Sequence, residues 1–368
     1  MKRILITGAN SFVGINVERW LMRQPDCYQV DTVDTMNDAW KQADFSRYDV
    51  VFHVAGIAHV DPKPEMAPLY YKVNRDLAIE VAKCAKDKGV KQFIYMSSGI
   101  VYKVSKSLKG DVRTPDTLPN PNDFYGDSKL QAERGVVNVI LNADVNHNLN
   151  PNPNLNLNPN GNGDPNGDLN DNGNLNDNGN LNLNLNLNGD VNLNLNADVD
   201  LNLKGNVNPN PNLNGDGMKV CILRPPMIYG PGSKGNFLRL GWLATKTPVF
   251  PEWHNKRSML YIDNLAEFVR QIIDREMSGT FFPQNAELVD TVEIVRYFAK
   301  KYHHRIWISR IFNPLVWLAS FFLPQVPKMF ADCYYVPEMS KYEFDYQIVS
   351  FEDSLKRLEI TDANRRMK

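Results

Sequence analysis

The sequence lacks several features that would place it in a special class of protein. Its cysteines include no close pair, which excludes a disulfide framework and a cysteine zinc site and predicts reduced, buried thiols at Cys27, Cys84, Cys221 and Cys333. The formal net charge is only −1, so neither nucleic acid nor an anionic membrane is expected as a partner. The apolar run at the N-terminus is too short for a signal peptide. We therefore expect a cytoplasmic protein, and we identify no metal ligands.

A long hydrophobic run is also missing. The most apolar stretch, residues 311–323, contains Asn313 and Pro314 and is shorter than the ~20 residues that span a bilayer. We expect this stretch to lie in the core or to form a lid over a pocket. A helix lying on the surface is the alternative.

A strand followed by a glycine turn opens the chain. Residues 4–6 are apolar, and the turn leads into a helix with an apolar face, which is the arrangement that holds a dinucleotide pyrophosphate. Ser11 takes the place of the usual middle glycine, so its side chain must point away from the phosphates or donate a hydrogen bond to them. The turn residues expected to contact the cofactor are Gly8, Asn10, Ser11, Phe12, Val13 and Gly14.

An acidic residue follows the next strand. Asp34 stands 20 residues after Gly14, where a carboxylate holds the ribose hydroxyls of the adenosine. No arginine follows at once to receive a 2′-phosphate, which favours NAD over NADP. Asp31 is the competing candidate if the strand is in a different register.

Later strands end in residues suited to line the same ligand. Ala55 and Gly56 close one buried strand, and their small size lets the backbone approach a flat cofactor. Asn74 lies at the start of the following amphipathic helix, and Ser98 follows the strand over residues 90–96. His53 fits a packed core histidine better than a catalyst.

A tyrosine and a lysine four residues apart complete the set. Tyr125 and Lys129 fall on one face of a helix, one turn apart. A fixed ammonium there favours the phenolate and should lower the pKa of the tyrosine from its free value near ~10. Such a tyrosine could exchange a proton with a substrate hydroxyl. The spacing alone is common on solvated helices, so it gains weight only from the upstream motifs.

Together these motifs resemble the extended short-chain dehydrogenase/reductase family, the NAD-dependent nucleotide-sugar epimerases and dehydratases. The matching stretches are residues 7–14, the Ser97-Ser98 pair, residues 125–129 with Glu133, and residues 223–232. The resemblance implies a Rossmann-type doubly wound parallel sheet with a smaller C-terminal α/β substrate lobe, NAD as cofactor, and a homodimer.

The resemblance also implies the roles of individual residues. Tyr125 would take the proton of a sugar hydroxyl, Lys129 would hold the nicotinamide ribose, and Ser98 would hydrogen-bond the developing carbonyl. Pro225 would form a wall beside the nicotinamide. Asn236 and Arg257 would hold the substrate diphosphate, and the planar fork of an arginine suits that task. The alternatives are a turn residue for Asn236 and a surface salt bridge for Arg257.

Three enzymatic activities share this machinery. A 4-epimerase acting on a UDP-hexose or UDP-N-acetylhexosamine is the leading interpretation, and a 4-keto-sugar-nucleotide reductase of surface-polysaccharide biosynthesis is the alternative. A 4,6-dehydratase is disfavoured because Gly99 and Ile100 stand where such relatives carry an Asp-Glu pair. A dinucleotide-sensing scaffold without catalysis is the non-enzymatic alternative.

A low-complexity segment interrupts the resemblance. Residues 143–217 alternate asparagine and leucine, broken by Gly, Asp and Pro, and we expect them to be disordered or irregular. A short solenoid and an assembly segment are the alternatives. The expected organisation is a first Rossmann part over residues 1–142, this insert, and residues 218–368 with the last Rossmann strands and the substrate lobe.

Overall fold

The computed structural model describes residues 1–58, 63–140, 217–233 and 236–359, with only the backbone of Asn236. Within the asparagine- and leucine-rich insert it describes two short strands, β6 (Asn180–Leu181) and β7 (Asp198–Val199), which pair in parallel. The rest of residues 143–216 lies outside the described residues. The expectation of an irregular insert therefore stays a prediction.

Strands alternate with helices along the described chain, as a doubly wound fold requires. The remaining strands are β1 Lys2–Thr7, β2 Tyr28–Val33, β3 Val50–His53, β4 Gln92–Met96, β5 Asp111–Arg113, β8 Lys219–Leu223, β9 Met227–Tyr229, β10 Val249–Pro251, β11 Met259–Tyr261, β12 Gly279–Phe281, β13 Trp307–Ser309 and β14 Cys333–Tyr335. The helices are α1 Phe12–Leu21, α2 Ala67–Tyr70, α3 Leu77–Asp87, α4 Phe124–Ile140, α5 Asn236–Ala244, α6 Ile262–Asp274, α7 Thr291–Lys301, α8 Asn313–Ser320, α9 Gln325–Phe330 and α10 Phe351–Lys356.

Six strands form one parallel sheet in the order β12-β8-β4-β3-β1-β2. The chain runs outward from β1 to β2 and then crosses back to β3 on the other side of β1. This reversal is a topological switch point, where ligands bind outside the carboxyl ends of the strands. The predicted Rossmann-type doubly wound sheet is confirmed.

The two faces of the sheet carry separate cores because successive side chains of a strand point to opposite sides. Ile4 and Ile6 of β1 pack with α1 and α6, whereas Leu5 packs with α3 and α4. The helices thus cover both faces, and the carboxyl ends of the strands remain as the edge at which loops can meet a ligand.

The C-terminal part adds small two-stranded parallel sheets: β9 with β11, β10 with β13, and β5 with β14. The last pair is informative because β5 belongs to the N-terminal half and β14 to the C-terminal lobe. It ties the segment after Ser98 to the lobe.

Two expectations about burial are wrong. The apolar stretch of residues 311–323 does not fill the core, because most of its large side chains are exposed. Among the cysteines, which are all unbridged, only Cys221 is buried and Cys27 is exposed. A short, apolar helix with one buried position, Val316, satisfies the sequence pattern while still lying at the surface.

Candidate active site

The glycine turn between β1 and α1 has the geometry that the sequence predicts. Gly8 has φ of +101°, and a Cβ atom there would lie 2.7 Å from the Ala55 nitrogen, so no other residue fits without displacing the end of β3. Ser11 caps α1, accepting a hydrogen bond from the Gly14 N–H at 3.0 Å. The Ser11 oxygen therefore faces the helix start, and only its proton is left to donate to a phosphate.

The other turn residues frame this concave start of α1. Asn10 has a left-handed backbone with φ of 65° and is exposed, while Phe12 and Val13 form the first turn of the helix. A Cβ atom on Gly14 would lie 2.7 Å from the Ser11 oxygen. It would also lie 3.3 Å from the Gly8 carbonyl oxygen and from Val54, so Gly14 lets the start of α1 pack closely on the turn.

Asp34 lies beside this turn. The carbonyl of Val33 accepts hydrogen bonds from the N–H groups of Gly8 and Ala9, which places the end of β2 against the glycine loop. Asp34 is exposed, and one of its oxygens accepts from the Met36 N–H at 2.9 Å. The competing Asp31 accepts a hydrogen bond from the Tyr48 hydroxyl at 2.9 Å, so that carboxylate is engaged within the fold. The geometry favours Asp34 as the ribose ligand.

His53 supports the sheet beneath the site. It is fully buried, stacks on Phe93 and Tyr95, and lies 2.7 Å from the Thr7 hydroxyl through Nδ1. Burial lowers its pKa to about 3, with the neighbouring Lys129 adding to the effect. The histidine is therefore neutral at physiological pH, which confirms the prediction of a packed core residue.

Gly56, Asn74 and Lys129 converge next to the end of β3. A Cβ atom on Gly56 would lie 2.9 Å from Asn74 Oδ1 and 3.1 Å from Lys129 Nζ. Asn74 sits on a π-helical segment (Tyr71–Asp76) between α2 and α3, and its amide brackets Ile57 by accepting from the N–H at 2.8 Å and donating to the carbonyl at 3.3 Å. Side-chain bulk at Gly56 would fill the space in front of the lysine.

Lys129 is buried and has few partners. Its ammonium donates to the Met96 carbonyl at 3.0 Å and lies 5.0 Å from the centroid of the Tyr95 ring. Burial lowers the pKa of Lys129 to about 8, and Glu133 one turn further along α4 opposes that shift. An ammonium with one hydrogen bond has two further N–H donors, which suits a ligand rich in hydroxyl groups.

Tyr125 lies one turn before Lys129 on α4 and is half-buried, with its ring 5.6 Å from that of Tyr70. Within the described part of the chain, its hydroxyl has no hydrogen-bond partner. The expected lowering of its pKa is wrong for the protein chain itself. Burial raises the pKa of Tyr125, and Tyr70 and Asp123 add to the rise. Desolvation of the ring is the largest cause of this rise, and the ammonium of Lys129 is held against the Met96 carbonyl.

Ser98 follows β4 directly and caps the short 3₁₀ turn Gly99–Val101, accepting from the Ile100 N–H at 3.3 Å. Ser98 lies at the same edge of the sheet as Lys129. The Lys129 ammonium donates to the carbonyl of Met96, which is two residues before Ser98. The structure therefore brings Ser98 and α4 to the end of the same strand.

A buried ion pair fixes this edge, and the sequence pattern did not single it out as a unit. Glu133 and Arg224 are fully buried and bonded through Arg224 Nη2 at 2.6 Å and Nε at 3.1 Å and 3.2 Å. The Ser97 hydroxyl also donates to Glu133, and Arg224 donates to the Tyr102 hydroxyl at 2.9 Å. The pair joins α4 to the ends of β4 and β8.

Pro225, the expected wall residue, is attached to the same loop. Its carbonyl accepts a hydrogen bond from the Gly99 N–H at 2.8 Å, so the segment after β8 lies against the segment after Ser98. A Cβ atom on Gly99 would lie 2.7 Å from Arg113 Nη1 and from the Tyr335 hydroxyl. The position next to Ser98 therefore has no room for a longer side chain.

Arg113 is a residue that sequence reasoning missed. Its guanidinium is buried between the rings of Tyr102 and Tyr335, 5.2 Å from each centroid, and its Nε has no hydrogen-bond partner. No local signal marks it, because β5 is only three residues long and its pairing with β14 depends on the assembled lobe.

Arg257 was predicted to hold a diphosphate. Its side chain donates to the carbonyls of Lys328 at 2.8 Å and Ala331 at 3.3 Å, and in the described chain it pairs with no carboxylate. Among the described residues, Arg257 therefore does not form the surface salt bridge that was the alternative prediction. Asn236 begins α5, but its side chain lies outside the described residues, so its assignment stays a prediction.

Two features are absent from the residues that the structure describes. No group of three or more His, Cys, Asp and Glu side chains is placed to hold a metal ion there. No described helix is both long and apolar enough to cross a membrane.

Known proteins of the predicted kind are similar to this chain. A sequence profile of the NAD dependent epimerase/dehydratase family matches residues 4–147, the stretch that contains the glycine turn and the Tyr125–Lys129 pair. The UDP-glucose 4-epimerase of Vibrio cholerae is 25% identical over 322 residues, covering 81% of this chain and 75% of that protein. The N-terminal part of the chain therefore resembles the NAD dependent epimerase/dehydratase family. The predicted resemblance is confirmed, NAD is the cofactor, and the protein is an enzyme of the epimerase and oxidoreductase type.

Solved structures of two nucleotide-sugar enzymes share the fold of this chain. A UDP-glucuronic acid 4-epimerase from Bacillus cereus in complex with NAD matches with a TM-score of 0.58 at 16% identity, over 96% of each chain. A dTDP-4-dehydrorhamnose reductase from Bacillus anthracis in complex with NADP matches with a TM-score of 0.52 at 16% identity, over 84% of this chain and 83% of that one.

Proposed function

We propose that the protein is an NAD-dependent 4-epimerase of a nucleotide sugar, with UDP as the nucleotide. The observation that carries the proposal is the convergence of Lys129, Asn74 and Gly56 at the carboxyl ends of β3 and β4, beside Ser98 and Tyr125. Asp34 at the end of β2 supports NAD, because an exposed carboxylate suits two ribose hydroxyls and repels a 2′-phosphate.

The bound NAD supplies the acceptor and donor of the hydride. The chain has to orient the sugar and move one proton to and from its 4-hydroxyl. Tyr125 is the group for that proton: its raised pKa keeps it neutral at rest, which suits donation of the proton to a carbonyl oxygen. Ser98 is placed to hydrogen-bond the same oxygen, as an oxyanion donor does.

Lys129 provides the cation beside Tyr125. With a pKa of about 8 it is mainly protonated at neutral pH, and its two remaining N–H groups can hold ribose hydroxyls. A charged Lys129 also makes transfer of a proton from the sugar to the tyrosine easier, because it stabilises the phenolate.

The diphosphate of the substrate is assigned to Arg257. Two carbonyl contacts orient its guanidinium, and no described carboxylate neutralises it, so its charge is available to a phosphate. The proposal also accounts for the small residue after Ser98. A dehydratase needs an acid at that position, and the space beside Gly99 is filled by Arg113 and Tyr335.

Turnover of a panel of UDP-hexoses and UDP-N-acetylhexosamines with catalytic NAD, followed by proton NMR at C4, tests the proposal. Inversion at C4 without net formation of NADH is the expected result. Oxidation of NADH on addition of a 4-keto-6-deoxy sugar nucleotide, with no inversion of any UDP sugar, would instead assign the protein as a reductase.

A further inference from the structure

An exposed apolar surface lies at the C-terminal lobe, far along the chain from the residues assigned to catalysis. Seven large side chains on and around α8 are between 52% and 75% exposed, namely Ile311, Leu315, Trp317, Leu318, Phe321, Phe322 and Leu323. We call this set the apolar face. Contiguous apolar surface of this kind marks an interaction site in a folded protein, whereas single exposed apolar residues do not.

The charge around the apolar face is entirely positive along the chain. Residues 294–331 contain six lysines and arginines and no aspartate or glutamate. The near-zero net charge of the whole chain, which predicted no anionic partner, conceals this asymmetry. Glu293 and Asp332 flank the segment in the sequence, and Glu252, which contacts it, is already paired with Arg296 at 2.8 Å and Arg310 at 3.5 Å.

An open cleft with basic walls adjoins the apolar face. It has a volume of about 790 Å³, and its lining includes Arg296, Lys300, His304, Arg305 and Trp307. The Trp307 ring contacts Phe312 at a centroid distance of 5.1 Å, and Phe312 is the residue immediately before α8. The cleft and the apolar face are therefore one continuous surface of aromatic, aliphatic and cationic groups.

We propose that this surface docks the enzyme on an anionic phospholipid membrane. The helix would lie in the interface, with Trp317 and Phe321 among the acyl chains and the cations at the level of the phosphates. Exposed Trp, Phe and Leu flanked by Lys and Arg is the composition of interfacial helices, and attraction to anionic lipid adds to their apolar burial. Docking of this kind requires no membrane-spanning segment.

A second copy of this chain fits the surface less well. A two-fold contact would place the same face of each subunit against the other, so the cations of one copy would meet those of its partner. With Glu252 already paired, no free acid on the segment could offset that repulsion. An anionic lipid surface neutralises the cations and buries the apolar side chains together.

The docking surface is also connected to the proposed substrate site by hydrogen bonds of Arg257. Arg257 donates to the carbonyls of Lys328 and Ala331, and Lys328 belongs to α9, which follows the apolar face directly. A segment held at the membrane would thus carry the anchor of the proposed diphosphate ligand.

Co-flotation with lipid vesicles tests the proposal on the full chain. Vesicles of 70% phosphatidylcholine and 30% phosphatidylglycerol should carry the protein, and pure phosphatidylcholine vesicles should carry far less. The variant Trp317→Ser/Phe321→Ser should lose at least tenfold in vesicle affinity. The control Met36→Ser/Leu118→Ser, which removes exposed apolar side chains elsewhere, should bind like the wild type.

The charge contribution is tested in the same assay. Arg305→Gln and Lys300→Gln should each weaken binding to the anionic vesicles about fivefold, whereas Lys106→Gln, at an exposed loop position outside the segment, should not. Equal loss in the control variants, or no flotation with anionic vesicles, would overturn the proposal. So would a dimer in sedimentation that Trp317→Ser/Phe321→Ser dissociates, since a second copy would then cover the face.

Discussion

Neutralising the buried carboxylate of Glu133 breaks the ion pair with Arg224, which joins α4 to the ends of β4 and β8. Glu133 lies on α4, Arg224 follows β8, and Ser97, the third partner, lies next to Ser98. In Glu133→Gln the side chain keeps its shape, but Arg224 loses its counter-charge while remaining fully buried. We expect the ends of β4 and β8 to lose their common anchor.

The expected cost follows from the burial of both partners. Breaking a buried ion pair by removing one charge costs about 3–5 kcal/mol, because the remaining charge is left without compensation. For a chain of this size that corresponds to a fall in melting temperature on the order of 10 °C. Adding Arg224→Met to Glu133→Gln removes the stranded charge, so the double variant should be more stable than Glu133→Gln alone.

A second effect appears in the pH dependence. Burial lowers the pKa of Lys129 to about 8, below the 10.5 of an exposed lysine. The negative charge of Glu133 opposes this shift and raises the pKa of Lys129. Between those two values the unfolded chain binds more protons than the folded chain, so the stability attributable to Lys129 rises with pH in this window. Removing the Glu133 charge should lower the pKa of Lys129 further. The rise of stability with pH should then begin at lower pH, and the loss of activity at alkaline pH should also begin at lower pH.

Calorimetry across pH 6–9, together with pH–rate profiles, measures both effects, and Lys129→Met serves as the reference that lacks the titrating group. A Glu133→Gln variant as stable as the wild type, with an unchanged alkaline limb, would refute the reasoning. It would mean that Arg224 is neutralised by solvent or by other groups and that the pair does not organise the site.

The other predictions concern single residues. Tyr125→Phe should lower turnover by roughly 10²–10⁴-fold and leave the fold and NAD binding intact, because the hydroxyl has no partner in the described chain; surviving activity would remove it from the proton transfer. Asp34→Ala should weaken NAD binding by about 1.5–3 kcal/mol in calorimetric titration, whereas Asp31→Asn should not, and the reverse order would exchange their roles. Gly89→Ala should cost roughly 1–2 kcal/mol for its positive φ, and Gly8→Ala should cost more in denaturant unfolding because its Cβ also meets backbone at 2.7 Å.

Local features of the site could be predicted from the sequence. The turn through Gly8 depends on a torsion that only glycine adopts readily, and Asp34 follows from the spacing of a strand–helix–strand unit. Tyr125 and Lys129 share a face because four residues make about one helical turn. Each of these depends on short-range geometry, which the order of residues determines.

Features that depend on the packing of the folded chain could not be predicted from the sequence. The raised pKa of Tyr125 and the lowered pKa of Lys129 both result from burial at the edge where β4 meets α4, which no spacing reveals. Arg113 reaches Gly99 only because β5 pairs with β14. The apolar stretch around Trp317 was misassigned because composition gives the polarity of a segment but not the side of the fold on which it lies.

The most direct test of the proposed epimerase is the fate of a deuterium at C4. The enzyme is incubated with catalytic NAD and a UDP-hexose deuterated at that carbon, and the products are analysed by proton NMR and mass spectrometry. Hydride transfer through a 4-keto sugar predicts the C4 epimer with its deuterium retained and no exchange with solvent. Epimer that has lost deuterium to water, or no inversion of any UDP sugar tested, would contradict the account.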